Sequence, residues 1–300
     1  MSIANTISNA IAGNLAGTLD GLPPPFGGGG GGGGGGTPTF DLEINGLTGV
    51  GTITRTDGPG DNTGVSLNSD GTKLFIMGTN GTHEINQYNL STAWDITSAG
   101  ATPDVAVSYG VPSGETFVRG ATMSFDGNYL TVCGVTNDRV AMYQLTAGPW
   151  DLSGGLTTIF SALDVSTDRP YTVQWNYDGT AFYIIDAIND NLIKYDCSTP
   201  YTVGSRSLAG RANYPTLSIS AAEGGFITAD ERFIVYSDGG TPKLVEMTTP
   251  GDVTTQTFVH NATAGFPAAG SPRGLFVKPD GSRIYCGNQG NTTDQADTNI

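Results

Sequence analysis

The stretch SDGTKLFIMGTNGTHEINQYNLSTAWDIT, residues 69–97, decides the fold of this chain. It leads from an acidic turn, Asp70-Gly71, into an apolar run, through a polar loop into a second strand-like run, and ends on Trp94-Asp95-Ile96-Thr97. Asp-Gly between two such runs favours a tight hairpin, because glycine adopts the positive φ angles that the turn needs. The stretch is therefore predicted to form consecutive antiparallel strands.

The same pattern recurs at nearly constant spacing. Five acidic turns, separated by steps of 56, 52, 52 and 50 residues, lie at Asp70-Gly71, Asp126-Gly127, Asp178-Gly179, Asp230-Glu231 and Asp280-Gly281. A repeat of this length holds about four strands, and such repeats are typical of a β-propeller. We therefore predict an all-β propeller in which the marker aromatics, such as Tyr88, Tyr143 and Trp94, pack blade against blade. The fourth copy lacks both Asp-Gly and Trp-Asp.

The two ends of the repeat predict how the ring closes. Strand-like segments near residues 40–56 precede the first turn, and the last unit supplies segments near 273–287. Pairing these two groups gives five four-stranded blades, one of them shared between the ends, and removes open sheet edges.

Composition narrows the class of protein. The chain of 300 residues contains 45 glycines, and its formal net charge is −15 with a pI near 4.2. Such a surface argues against nucleic acid or anionic lipid as a partner. No apolar run reaches the roughly 18 to 20 residues of a membrane span, and three widely spaced cysteines, Cys133, Cys197 and Cys286, are expected to be small core residues.

The N-terminus has a different composition. Residues 1–22 are predicted to form an amphipathic helical anchor, residues 23–39 a flexible Pro/Gly linker that includes the decaglycine 27–36, and residues 40–300 the propeller. The predicted assembly anchor is an apolar stripe with a period of four residues, consisting of Ile3, Ile7, Ile11, Leu15 and Leu19. A lone helix of this length is marginal in water, so its stripe needs a partner. The alternative is a frayed tail without a role.

One set of loops is the predicted binding face. Polar residues there could meet a glycan or a protein partner, at Asn80, Asn137, Asp138, Asn189, Asp190, Asn213, Tyr214 and Asp238. Further acids in the loops that lead into the innermost strands could converge to hold calcium, namely Asp61, Glu115, Asp168 and Glu223. The same residue types are ordinary loop formers, so the prediction is no metal and no cofactor, with calcium as the alternative.

Catalytic motifs are not evident in the sequence. It contains two histidines, His83 and His260, and neither a G-x-S-x-G nor an H-E-x-x-H motif. The prediction is accordingly that the chain is not an enzyme and has no catalytic residue. A propeller hydrolase or lactonase-like enzyme with a metal at the channel mouth is one alternative, and a bacterial surface glycan-binding protein is another.

The blade pattern of residues 69–97 resembles propeller repeats of bacteriophage virion structural proteins, and the leader 1–22 with its Pro/Gly tract resembles their short attachment segments. The resemblance implies a tail, neck or capsid protein located in the virion and assembled in the host cytoplasm. It implies a propeller head anchored to other virion proteins through residues 1–39, in several copies per particle, that adheres to a host surface glycan or receptor.

Overall fold

The computed structural model describes residues 48–54, 61–80, 82–110, 115, 117–164, 169–186, 189–213, 222–238, 241–261, 272–288 and 292–297. The predicted anchor, the linker and the strand-like segment 40–44 lie outside the described residues, so those three predictions are not tested.

The described residues form five antiparallel sheets of four strands each. Strand β1 (Thr48–Thr54) begins the described chain. The first complete sheet consists of β2 (Asp61–Leu67), β3 (Lys73–Asn80), β4 (Thr82–Asn89) and β5 (Val105–Ser108). The second consists of β6 (Val118–Met123), β7 (Tyr129–Gly134), β8 (Arg139–Leu145) and β9 (Leu156–Asp164).

The remaining sheets follow in chain order. The third consists of β10 (Pro170–Trp175), β11 (Ala181–Asp186), β12 (Asn191–Cys197) and β13 (Arg206–Asn213). The fourth consists of β14 (Ala222–Ile227), β15 (Phe233–Asp238), β16 (Thr241–Met247) and β17 (Gln256–Asn261). The last consists of β18 (Pro272–Val277), β19 (Arg283–Asn288), β20 (Thr292–Asp297) and the N-terminal β1.

The first strands of the sheets, β2, β6, β10, β14 and β18, contact one another in a closed ring around a central axis. The sheets radiate from this ring, and most apolar side chains are buried between neighbouring sheets. The predicted all-β propeller is confirmed. Helical structure in the described residues is confined to three short 3-10 segments, Ile96–Ser98, Val203–Ser205 and Val253–Thr255, and no helix there is long and apolar enough to cross a membrane.

Ring closure differs from the sequence-based prediction in one strand. The N-terminal β1 pairs with β20, for example Ile53 with Thr293, and not with the strands between 273 and 287. Strand β20 has the sequence TTDQAD, which shows no apolar alternation and was therefore missed. Its Thr293 is fully buried and accepts a hydrogen bond from Asn62 Nδ2 at 3.3 Å, which joins the closing sheet to the first sheet.

The acidic turns have the predicted hairpin chemistry. Gly71 and Gly127 adopt φ angles of 71° and 74°. In the first turn the Asp70 carboxylate accepts a 3.0 Å bond from the Thr72 amide, and in the second Asp126 accepts from the Asn128 amide at the same distance. These carboxylates are used within their own turns.

The Trp-Asp segments connect neighbouring sheets, as predicted. The ring of Trp150 lies 5.6 Å from that of Phe75 in the preceding sheet. The carbonyl oxygen of Trp94 accepts bonds of 2.7 Å from both Arg283 and Tyr285 of the closing sheet. The three cysteines are buried free thiols, as expected for core residues.

Candidate functional site

The five inner strands begin at the same end of the propeller, which we call the top face. The ends of the second strands lie there as well, since Asp61 pairs with Thr79 and Pro170 with Asp186. The hairpins between second and third strands therefore also open on the top face. The acidic turns lie at the opposite, bottom face.

Each inner strand contains one β-bulge near its start, at an equivalent position in all five sheets. The residues in the bulges are Thr63, Arg119, Tyr171, Glu223 and Arg273, and the steps between them are 56, 52, 52 and 50 residues. A bulge inserts an extra residue and redirects side chains, and bulges are common next to functional sites. These five positions are called the axial ring.

Close approach of the inner strands explains the glycines that follow these bulges. A Cβ at Gly64 would lie 2.0 Å from the carbonyl oxygen of Ala121, and one at Gly120 would lie 2.5 Å from that of Tyr171. Only glycine allows the neighbouring backbones this contact. The backbone positions of the axial ring are thus fixed by direct contact between neighbouring inner strands.

The axial ring carries two guanidinium groups in a strongly acidic protein. Arg119 is partly buried, and its guanidinium carbon lies 5.4 Å from the centre of the Tyr171 ring. Its Nε atom is shielded from solvent and has no hydrogen-bond partner among the residues described. Arg273 is 5% exposed. A buried donor without a partner costs about 1–3 kcal/mol, so a hydrogen-bond acceptor that reaches Arg119 Nε would stabilise this position.

The axis below the ring is nearly filled. A cavity there is lined by polar and small residues of the inner strands, including Thr63, Thr172, Gln174 and Arg273, and encloses about 240 Å³ if the solvent at its mouth is included. Its closed part has room for about one water molecule. The hydroxyl of Thr172 is buried without a hydrogen-bond partner in the described part of the chain, and such a water would satisfy it. A larger ligand must therefore bind at the mouth.

Glu115 precedes inner strand β6, and its carboxylate has a structural role. It is 2% exposed, and its carboxylate accepts bonds from the amides of Phe117 at 3.1 Å, Thr136 at 2.8 Å and Asn137 at 3.1 Å. The carboxylate thus fixes the hairpin between β7 and β8. In the next sheet the fully buried Asp186 does the same by accepting from the amide and side chain of Asn189, at 3.2 and 2.6 Å.

Three aromatic rings lie close together near Glu115. The His83 ring lies 5.9 Å from that of Tyr109, which lies 6.0 Å from that of Tyr143. Burial lowers the pKa of His83 below its ordinary value of 6.5, although the charge of Glu115 opposes the shift. Burial also raises the pKa of Tyr143 to about 12, so neither group is charged at neutral pH.

The predicted binding residues reach the top face but not its axis. Asn137, Asp138, Asn189 and Asp190 form the tips of the second-to-third-strand hairpins, and both aspartates have positive φ angles, 52° and 54°. Their residue types are explained by turn geometry. Asn213 is exposed at the end of outer strand β13, and Asn80 and Asp238 occupy strand ends on this face. Tyr214 and Asp168 lie outside the described residues.

Sequence reasoning missed the two arginines of the axial ring. A signal was available, because the axial ring repeats with the same steps as the acidic turns and usually precedes a glycine, as in Arg119-Gly120 and Arg273-Gly274. Among the described residues no group of three or more His, Cys, Asp or Glu side chains could hold a metal ion.

Comparison with known proteins identifies no family for this chain. No protein-family model and no curated protein matches the chain. Solved structures that resemble it include two proteins described as putative 6-phosphogluconolactonases. The one from Bacteroides uniformis has 14% identity and a TM-score of 0.45, and the match covers 74% of this chain and 62% of that protein. The one from Bacteroides fragilis has 17% identity and a TM-score of 0.46, and the match covers 75% of this chain and 64% of that protein. A Lactobacillus plantarum protein has 14% identity and a TM-score of 0.48 over 76% and 64%.

This chain spans less than two thirds of the length of those proteins. At such identities and TM-scores the likeness identifies no activity for this chain. The sequence-based prediction that the chain is not an enzyme is not upheld, since two of these structures are described as putative 6-phosphogluconolactonases.

Proposed function

We propose that this protein binds a small anionic lactone at the mouth of the propeller axis and hydrolyses it. The observation that carries the proposal is the guanidinium of Arg119, whose buried Nε has no hydrogen-bond partner among the described residues and which shares the axial ring with Arg273. Guanidinium groups bind carboxylate and phosphate in a planar, bidentate manner, and such charge-assisted bonds are about twice as strong as neutral ones.

The charge distribution supports a local site for an anion. With a net charge of −15, the protein as a whole repels anions. Arginines on the inner strands of such a protein therefore favour a specific ligand over non-specific attraction. The contact between Arg119 and the Tyr171 ring orients the guanidinium before a ligand arrives.

The axial ring also contains the residue type that lactone hydrolysis requires. Glu223 occupies the bulge of the fourth sheet, at the position equivalent to Arg119 and Arg273. From this backbone position we propose Glu223 as the general base, which takes a proton from water while the water oxygen attacks the lactone carbonyl carbon. A guanidinium stabilises the resulting oxyanion. The ring C–O bond then breaks, and the leaving alkoxide receives the proton from Glu223 to give the open-chain hydroxy acid.

The proposal is tested with the full-length protein and sugar-acid lactones, each with and without a phosphate group. Arg119→Met should weaken binding roughly 10- to 100-fold, because a charged hydrogen bond is worth about 1.5–3 kcal/mol. Glu223→Gln should lower kcat about 100-fold or more while the product still binds. The matched control is Arg211→Met, which removes an exposed arginine from outer strand β13.

Two results would overturn the proposal. One is that no lactone in the panel is hydrolysed faster than in buffer. The other is that Arg119→Met and Arg211→Met behave alike in both binding and turnover.

A second proposal concerns location. The apolar stripe of residues 1–22 and the decaglycine 27–36 support a head tethered to a phage particle, on the tail, neck or capsid, where it contacts the host surface. Cryo-electron microscopy of the particle tests this idea. Density for residues 1–22 against other virion proteins, with the propeller projecting outward, is the expected result, and absence of the protein from purified particles contradicts it.

A further inference from the structure

We infer that Phe117 determines specificity at this site by stacking on a ring of the ligand. This inference deepens the proposed function and rests on it. Phe117 is 62% exposed, the largest value among the exposed large apolar side chains of the described residues. The others, Val50, Ile159, Leu208 and Val259, lie on the outermost strands, whereas Phe117 directly precedes the inner strand that carries Arg119.

The backbone of Phe117 is fixed on both sides. Its amide donates to the buried Glu115 carboxylate at 3.1 Å, and its carbonyl accepts from the Val135 amide at 3.1 Å. The ring is thus presented to solvent from a rigid position. Little conformational entropy would be lost when a ligand covers it, and such preorganisation increases affinity.

The repeat itself does not require an aromatic residue here. Residues at the equivalent spacing in the other sheets are Asp61, Arg169, Ala221 and Ser271. Four sheets therefore form with charged or small residues at this position. The Phe117 ring is therefore not needed by the blade and is available for contact with a ligand.

Phe117 lies two residues before Arg119, the bulged residue, so an apolar side chain and a cation lie close together at the start of the same inner strand. A ligand that uses both has an anionic group attached to a ring with an exposed C–H face. Cyclic sugar acids have this combination, and their open-chain forms lack the flat face. The site should therefore prefer the closed lactone over its open hydroxy acid.

The test compares binding of two probes to the full-length protein. One is the sugar-acid lactam, a cyclic analogue that resists hydrolysis, and the other is the open-chain acid. Phe117→Ala should weaken lactam binding about 5- to 10-fold, in keeping with an aromatic contact worth about 0.5–1.5 kcal/mol, and should change acid binding less than about 2-fold. Phe117→Trp should restore lactam binding. Leu208→Ala, which truncates a side chain that is 57% exposed on an outer strand, is the matched control.

The outcomes separate this inference from the proposed reaction. If the wild-type protein hydrolyses no lactone but binds the lactam in a Phe117-dependent manner, the reaction is wrong and the stacking role stands. If lactones are hydrolysed and Phe117→Ala leaves KM and lactam affinity unchanged, the stacking role is wrong. Equal weakening of both probes also overturns it, because a ring platform must discriminate between them.

Discussion

Glu231 and Gly251 face each other in the fourth sheet, at the position where the first three sheets place a glycine beneath an aromatic ring. The Gly251 amide donates to the Glu231 carbonyl at 2.9 Å, as the Trp94 amide donates to the Gly71 carbonyl at 2.8 Å in the first sheet. Both members of each pair have positive φ angles, 56° and 75° in the fourth sheet and 71° and 65° in the first. A Cβ on Gly71 would lie 2.2 Å from the Trp94 ring. In the first sheet only one member of the pair can therefore have a side chain.

In the fourth sheet the glycine is thus the second member of the pair, whereas in the first sheet it is the first member. This exchange explains why the fourth repeat lacks both Asp-Gly and Trp-Asp. The Glu231 carboxylate lies 3.5 Å from Lys194 Nζ and accepts a hydrogen bond from the Tyr183 hydroxyl, both on the third sheet. Lys194 also donates to the Gly251 carbonyl at 3.2 Å. A polar contact thus replaces the aromatic contact that joins the other sheets.

The first prediction concerns this pair. Gly251→Trp should destabilise the protein by about 2 kcal/mol, because the new side chain meets Glu231 and an L-residue is strained at positive φ. The double variant Glu231→Gly/Gly251→Trp recreates the arrangement of the first sheet and should recover about 1 kcal/mol or more of that loss. Urea unfolding of the wild type, both single variants and the double variant measures the coupling. Strict additivity of the two changes would show that the pair is not reciprocal.

The architecture could be predicted from the sequence because turn and strand chemistry repeats. Asp70-Gly71 and its counterparts identify the hairpins, and their spacing identifies the blade. Strand β20 was not predicted because its buried residue Thr293 is polar and gives no apolar signal. The strand is stabilised by pairing with β1 on one side and β19 on the other. The N-terminal predictions concern residues that the structure does not describe.

The candidate site was predicted only as far as its face. Asn137 and Asn189 lie at the same end of the propeller as the axial ring. Their amides donate to the buried acids Glu115 and Asp186, and such partners cannot be inferred from local sequence. Arg119 could not be placed at the axis without the bulge, because the extra residue alters the in–out alternation of the strand.

The second prediction concerns a buried side chain that links inner strands. Gln174 is 5% exposed, and its amide donates to the Ile227 carbonyl and accepts from the Ile227 amide, both at 2.8 Å. Gln174→Leu should lower the free energy of unfolding by about 2–4 kcal/mol, because two buried backbone groups lose their partners. Chemical denaturation measures the change. Gln144→Leu, at an exposed position of β8, should stay within about 0.5 kcal/mol of wild type, and similar losses in the two variants would argue against the bridge.

The third prediction is that the free energy of unfolding decreases as the pH is lowered, in two separate pH ranges. The folded-state pKa of His83 is lowered by burial, so the unfolded chain binds the proton more tightly. The contribution of His83 is fully present above its ordinary value of 6.5 and is lost as the pH falls from there toward the lowered folded pKa. The loss occurs because a protonated, charged His83 ring is unfavourable in its partly buried position beside Tyr109.

Below this window the turn carboxylates titrate. Although burial alone would raise the pKa of Asp70, its hydrogen bonds from Thr72 hold it below the ordinary 3.8, so its contribution is lost as the pH falls below 3.8. Urea midpoints measured from pH 7.5 to pH 3 should show both losses. His83→Gln should abolish the upper loss and keep the lower one, whereas Asp70→Asn should diminish only the lower one. An upper loss that persists in His83→Gln would assign it to another group and contradict the prediction.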